Sequence, residues 1–186
     1  MDKERLLRKI ARDINQCALC HKGGMGKPVA GEGPVTAAVV LIGEAPGKEE
    51  AKAGRPFIGR SGKFLRALMA SIGLREQDVF ITSPVHYRPL RGTPTKAAIM
   101  HGRQHLLRQI EIIDPKIIVL LGNSACIAML DSKQELSKAH GQVVRKDGRR
   151  YFITFHPAYA MRFPDGRTKF ISDFAKLKEI IKTSHE

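Results

Sequence analysis

The sequence predicts an α/β protein in which helices cover both faces of a mainly parallel sheet, a three-layer α/β/α sandwich. Three observations predict this fold class. Continuous apolar runs at 37–43, 78–84 and 116–122 are typical of strands that are buried on both faces. Segments with a helical spacing of apolar residues alternate with these runs. The pair Asp147-Gly148 lies between two β-rich arms and indicates a hairpin.

The helices follow from the spacing of apolar side chains, which predicts them over 3–15, 61–74, 93–114, 123–130 and 170–182. Gly73 lies where the second helix should stop, and Thr93 followed by Pro94 suits the start of the third. Residues 17–36 are rich in Gly and Lys and are expected to form a loop. We see no repeat and no sign of a second domain, so residues 1–186 are expected to form one domain.

The charge of the chain favours a polyanionic partner. Its 186 residues include 32 Lys and Arg against 18 Asp and Glu, a net charge of +14. Such an excess attracts nucleic acid, although a hot or RNA-rich cell could also select it for solubility. No apolar run could span a bilayer, so a membrane partner is not expected. The N-terminal stretch lacks a signal-peptide core, which predicts a cytoplasmic protein, and nothing demands more than a monomer.

Four turns leave the ends of the predicted strands, where ligands bind in parallel sheets. Their sequences are GEAPG, TSPVHYRP, GNSA and FHPAYAMR. The first holds Glu44 on a turn stiffened by Pro46, and its spacing is wrong for a phosphate-binding P-loop. Considered alone, Glu44 also suits a capping carboxylate and Phe57 suits core packing. Together with His156 after the last strand, they suggest a shared cleft.

The stretches GEAPG…GRPFIGRSG, VFITSPVHYRP, IDPKIIVLLG and TFHPAYAMR occur in this order. Together they resemble the uracil-DNA glycosylase superfamily, and most closely its bacterial and archaeal family 4. The resemblance implies a four-stranded, mainly parallel sheet between helices. It also implies a monofunctional DNA glycosylase that flips uracil out of DNA and hydrolyses its N-glycosidic bond with water. Two alternatives are a catalytically weakened lesion-sensing homologue and an enzyme acting on free nucleosides, which the charge disfavours.

The resemblance also assigns roles to residues of this chain. Glu44 would orient the attacking water and favour the cationic sugar, and His156 would donate a hydrogen bond to uracil O2. Phe57 would stack on the flipped base. Further contacts with the base are expected from Gly43, Ala45, Gly47 and Ser83. Contacts with DNA are expected from Arg60, Ser61, Gly62, Tyr159, Met161 and Arg162. For a repair enzyme of this kind, we expect a cytoplasmic location in association with the nucleoid.

Ser83 is the first departure from the family pattern, because the family usually has Asn at this position. An Asn amide can both donate to and accept from uracil, whereas a hydroxyl has one hydrogen to give. We therefore expect weaker or broader base selection, which could include other deaminated bases, unless water or backbone compensates.

The second departure concerns metal, because the resemblance to family 4 implies a 4Fe–4S cluster held by four cysteines. Two of those positions match Cys17 and Cys20, but Tyr87 and Gly102 stand at the other two. Cys126 suits a buried apolar position. A zinc-type ligand set is present instead: Cys17, Cys20, His101 and His105. A site with two reduced thiols and no metal, or one with zinc, is expected ahead of a complete cluster.

Overall fold

The computed structural model describes residues 2–183. Seven strands lie in this range: β1 (Gly24–Met25), β2 (Val39–Ile42), β3 (Val79–Thr82), β4 (Arg88–Pro89), β5 (Ile117–Leu121), β6 (Gln142–Lys146) and β7 (Arg149–Thr154). The helices are α1 (Lys3–Gln16), α2 (Ala18–His21), α3 (Lys48–Ala53), α4 (Arg60–Ser71), α5 (Lys96–Ile113), α6 (Asn123–Leu130), α7 (Leu136–Ala139), α8 (Pro157–Arg162) and α9 (Pro164–Lys182), with a short 3₁₀ turn at Glu76–Asp78.

The central sheet has five strands in the order β3-β2-β5-β7-β6. The first four are parallel, whereas β6 pairs antiparallel with β7. The expected count of four strands is therefore wrong by one, because the first arm of the hairpin joins the sheet as an edge strand. The hairpin turn itself is confirmed, with positive φ angles of 50° at Asp147 and 73° at Gly148.

Both faces of the sheet are buried, which confirms the three-layer α/β prediction. Side chains of β2 alternate between two apolar clusters: Val40 and Ile42 pack towards α5 and α6, whereas Val39 and Leu41 pack towards α4 and α9. All four of these residues are buried, so the strand reads as a continuous apolar run rather than an alternating one.

Several element boundaries differ from those that the sequence predicts. The side chain that caps α5 is Thr95, not Thr93, and α9 begins at Pro164 rather than at 170. Residues 17–36 are mostly irregular, but they include α2 and β1, and β1 pairs antiparallel with β4. Helices α3, α7 and α8 were not predicted. Among the described residues, none of the helices has the length and apolar composition that crossing a membrane requires.

Candidate active site and metal-binding group

A cavity of about 120 Å³ opens at the carboxyl ends of β2, β3 and β7. Its lining includes Ala45, Gly47, Glu50, Phe57, Ser83 and His156. The parallel register brings these strand ends to one edge of the sheet, so turns that are distant in sequence meet there. Four of the residues expected to contact the base therefore line one cavity with His156.

The turn that carries Phe57 is held on two sides. Phe57 has a φ of 50°, an uncommon value for a residue with a side chain. The Glu50 carboxylate accepts hydrogen bonds of 2.9 and 2.8 Å from the N–H groups of Ile58 and Gly59. The Arg66 guanidinium donates to the carbonyls of Phe57 and the residue before it, both at 3.1 Å. These bonds hold the turn in its uncommon conformation.

Two glycines let the Phe57 turn pack closely against its surroundings. A Cβ on Gly43 would lie 2.7 Å from the Phe57 ring, and a Cβ on Gly62 would lie 2.0 Å from its carbonyl oxygen. Gly62 is buried below the surface, so its role in this structure is close packing. Any larger side chain at these positions would displace the ring from the cavity.

The tautomer of His156 follows from its backbone contact. Its Nδ1 accepts a hydrogen bond of 3.2 Å from the N–H of Ala158, so a neutral ring carries its proton on Nε2. Burial lowers the pKa of His156, and the negative charge of Glu44 opposes this shift only in part. The ring centroid lies 5.9 Å from that of Phe57. A neutral imidazole with an Nε2–H donor thus lies beside the phenyl ring.

Glu44 is held by the first turn of α6. The hydroxyl of Ser124 donates a hydrogen bond of 2.8 Å to Oε2 of Glu44. The strand end before it is fixed, since the N–H of Gly43 donates to the carbonyl of Thr82 at 2.9 Å. The carboxylate is therefore oriented by a side chain from the third turn, GNSA, as well as by its own stiff turn.

Ser83 lies in the cavity wall, and its hydroxyl is already engaged. It is buried and donates its hydrogen to the carbonyl of Val85 at 2.8 Å. The hydroxyl oxygen can still accept a hydrogen bond, but its one hydrogen is used within the turn.

An open groove of about 500 Å³ borders the cavity and shares Gly47, Glu50 and Ser61 with it. The groove lining also includes Arg60, Met161 and Arg162. Helix α4 begins there, and Gly59 at its N-terminus provides no side-chain cap. Tyr159 lies outside this lining and stacks on Phe155, with ring centroids 5.1 Å apart.

A second group of side chains lies where the N-terminal segment meets α5. Its members are Cys17, Cys20, His101 and His105, whose potential ligand atoms all lie within 4.8 Å of one another. Cys17 Sγ is 3.1 Å from His101 Nε2. Burial, followed by the contact with Cys17, raises the pKa of the Cys20 thiol to about 12. This group could hold a metal ion, as the spacing predicts.

The two remaining cluster positions do not fit a four-thiolate 4Fe–4S group. Tyr87 is buried, and its hydroxyl donates to the Asn15 carbonyl at 3.4 Å. A Cβ on Gly102 would lie 1.7 Å from the carbonyl oxygen of Pro84. A cysteine at position 102 would therefore require the backbone to move. Cys126 is fully buried in the core, as expected, and supplies no ligand to this group.

Sequence reasoning missed three residues that position the candidate site, namely Glu50, Arg66 and Ser124. The signal for Glu50 was weak, because a carboxylate in the first turn of a helix usually serves the helix itself. Here it is 8% exposed and bonds to a different turn. The contacts of Arg66 and Ser124 depend on tertiary placement and leave no local pattern.

Comparison with known proteins places this geometry in a family context. Residues 30–180 match the family model described as the uracil DNA glycosylase superfamily. The type-4 uracil-DNA glycosylase of Thermotoga maritima is 36% identical over 186 residues, which cover 97% of each chain. That of Archaeoglobus fulgidus is also 36% identical and covers 92% of this chain and 91% of its own. A type-5 uracil-DNA glycosylase of Pyrobaculum aerophilum is 29% identical over 150 residues, which cover 72% of this chain and 66% of the relative.

Proposed function

The chain belongs to the uracil DNA glycosylase superfamily, and we propose that it is a DNA repair glycosylase that hydrolyses the N-glycosidic bond of uracil in DNA. The observation that carries this proposal is the meeting of an acid, an imidazole and a phenyl ring at one edge of the sheet. The Phe57 and His156 rings share the cavity, and the charge of Glu44 is close enough to act on the His156 pKa.

In the proposed mechanism the target base leaves the duplex and enters the cavity, where it stacks on Phe57. Extrusion of a base costs a few kcal/mol of unstacking, so a ring fixed in place before binding lowers the cost of ordering the site. The bonds that Glu50 and Arg66 make to the Phe57 turn support such a fixed ring.

Bond cleavage builds positive charge on the sugar and negative charge on the departing base. His156 would donate its Nε2–H to the base oxygen O2 as that charge develops, a role that suits a neutral imidazole. Glu44, oriented by Ser124, would hold the attacking water and stabilise the cationic sugar. The lone pair of the water forms the new bond to the sugar carbon, and the proton that this water loses passes to Glu44. The electrons of the broken bond leave with the base, which then takes up a proton from solvent. This chemistry requires no metal.

We further propose that base selection is broader than for a site with Asn at position 83. The Ser83 hydrogen is used by Val85, so the hydroxyl can only accept from a base. A site that lacks one recognition partner discriminates less, which admits other deaminated bases.

The groove with Arg60, Ser61, Met161 and Arg162 would follow the DNA strand beside the extruded nucleotide. The net charge of +14 supports salt-sensitive binding to phosphates. Contacts of DNA with Gly62 and Tyr159 stay predictions, with Gly62 limited by its burial. One copy of the chain carries all the candidate groups, which is consistent with action as a monomer on the nucleoid in the cytoplasm.

The test incubates purified protein with oligonucleotides containing uracil, hypoxanthine or xanthine, and then cleaves abasic sites with alkali. We expect abasic sites at uracil and smaller amounts at the other two bases. The variants Glu44→Gln and His156→Ala should each lose about 10²–10³-fold in single-turnover rate. Glu111→Gln removes an exposed acid on α5, and its rate should stay at the level of the unmodified protein.

Two results would contradict the proposal. Uracil-specific binding without abasic sites would favour the lesion-sensing homologue. Cleavage that survives both substitutions would show that other residues perform the chemistry.

A further inference from the structure

We propose that Cys17, Cys20, His101 and His105 bind one Zn²⁺ ion in a tetrahedral site. The four potential ligand atoms already lie within 4.8 Å of one another. Zinc bonds of about 2.3 Å to sulfur and 2.0–2.1 Å to nitrogen place tetrahedral donors roughly 3.3–3.8 Å apart. Side-chain movements of less than about 1 Å would therefore close the site around an ion.

The arrangement favours a single ion over an iron–sulfur cluster. In a 4Fe–4S cluster each thiolate binds a different iron, and in a Rieske centre the thiolates and the imidazoles bind separate irons. Here Cys17 Sγ lies 3.1 Å from His101 Nε2, so a thiol and an imidazole converge on one point. Neither cluster type brings ligands of these two kinds to a shared metal.

Local structure prepares both halves of the site. Cys17 caps α2 and Cys20 lies in its first turn, where the N–H of Cys20 donates a hydrogen bond of 3.4 Å to Cys17 Sγ. The histidines lie four residues apart on α5 and share one helix face. Nδ1 of His105 is buried and has no hydrogen-bond partner among the described residues. The protein thus supplies a set of donors that its own polar contacts leave partly unsatisfied.

An ion can reach the site from solvent, and its binding would link two parts of the fold. Cys17, Cys20 and His101 are partly exposed, so an ion can enter from solvent. Each thiol would lose its proton to solvent when it binds. The ion would then fasten the N-terminal segment to α5, the helix whose Gly102 touches the Pro84 carbonyl next to Ser83.

The test measures zinc and iron in the purified full-length protein by mass spectrometry, together with its visible absorption spectrum. We expect about one zinc per chain. The double variant Cys17→Ser/His101→Ala should retain at most about one tenth of the zinc that the unmodified protein holds. His21→Gln serves as the matched control, because His21 lies on α2 but outside the donor group, and its zinc content should not change.

A second measurement keeps the proposal testable if the double variant fails to fold. The unmodified protein is stripped with a chelator and titrated with Co²⁺, which gives intense visible bands in a tetrahedral site with thiolate ligands. Added Zn²⁺ should displace Co²⁺ and remove these bands. Iron with broad visible absorption, or a stripped protein that gives no such bands and binds Zn²⁺ no tighter than micromolar, would overturn the proposal.

Discussion

The cavity at the strand ends and the Cys–His group differ in how their side chains are held. At the cavity, the Phe57 turn and His156 each have hydrogen-bond partners within the protein, and so does the neighbouring Glu44. In the Cys–His group, thiols and imidazoles crowd together, and a buried nitrogen of His105 has no partner among the described residues. The cavity is therefore organised without a ligand, whereas the proposed ligands of the second group are fully satisfied only when a cation is bound.

Crossed substitutions give the largest expected contrast between the two regions. Glu44→Gln should lower the single-turnover rate by about 10²–10³-fold while the thermal midpoint changes little, because the fold does not depend on this charge. Cys17→Ser/His101→Ala should affect stability more than rate. Its thermal midpoint should fall clearly, whereas its single-turnover rate, measured below that midpoint, should fall by less than about tenfold. Rates and melting curves measured on the same preparations check this. Equal losses of rate in both variants would mean that the two regions are not separable.

A glycine in each region should respond to alanine in the same direction but with different consequences. Gly62→Ala would push against the Phe57 carbonyl and Gly102→Ala against the Pro84 carbonyl. We expect each to destabilise the protein by about 1–3 kcal/mol in urea unfolding, although alanine usually stabilises a helix. Gly62→Ala should lower the rate, whereas Gly102→Ala should lower zinc retention. The exposed α4 variant Lys63→Ala controls for composition and should leave both unchanged.

The pH dependence should separate the regions through His156. Burial lowers the pKa of this imidazole from its ordinary 6.5, and the proposed donor is the neutral ring. The rate should therefore be highest above pH 6.5 and fall as the pH drops through the lowered pKa that His156 has in the folded protein. The stability that comes from burying the neutral ring should be present above pH 6.5 and be lost over the same range. Single-turnover rates across pH, with zinc content followed in parallel, check this. A fall in rate that begins well above pH 6.5 would argue against the neutral donor.

The smallest expected effect concerns DNA affinity. Arg162→Ala should weaken binding uniformly across sequences and reduce the slope of log affinity against log salt by about 1. Arg145→Ala, on the hairpin strand at the far edge of the sheet, should leave the slope unchanged. Fluorescence anisotropy at several salt concentrations measures both variants. The same change in slope for both would indicate diffuse attraction by the net charge.

The sheet was largely predictable because strands buried on both faces have a strong local signature. Val39–Ile42 and Ile117–Leu121 are uniformly apolar runs bounded by polar or glycine-containing turns. The first arm of the hairpin was predicted to be β-rich, but its place as a fifth strand of the sheet was not, because the mostly exposed Gln142–Lys146 joins the sheet only through its partner, β7. The short helices α7 and α8 are too brief to show periodicity.

The residues of the candidate site were easier to predict where they stand in a distinctive turn than where they act on a neighbour. Glu44 and His156 follow strand ends closely, and Phe57 stands in a turn rich in Pro and Gly. Glu50 could not be found in this way, because the N–H groups that it holds lie eight and nine residues away. The Cys–His group was predicted from the match of two cysteines to the family's cluster positions, together with the zinc-type spacing of two histidines. The steric conflict of a side chain at position 102 with the Pro84 carbonyl could not be predicted from the sequence, because it depends on which backbone segment packs against α5.

The close contact of Gly102 with the Pro84 carbonyl limits which ligand sets protein engineering could install here. A four-cysteine set could not be built by exchanging side chains alone, since a cysteine at position 102 is obstructed until the neighbouring loop is remodelled. That loop also carries Ser83 in the wall of the cavity. Redesign of the chain for a four-thiolate cluster would therefore alter the wall of the cavity as well.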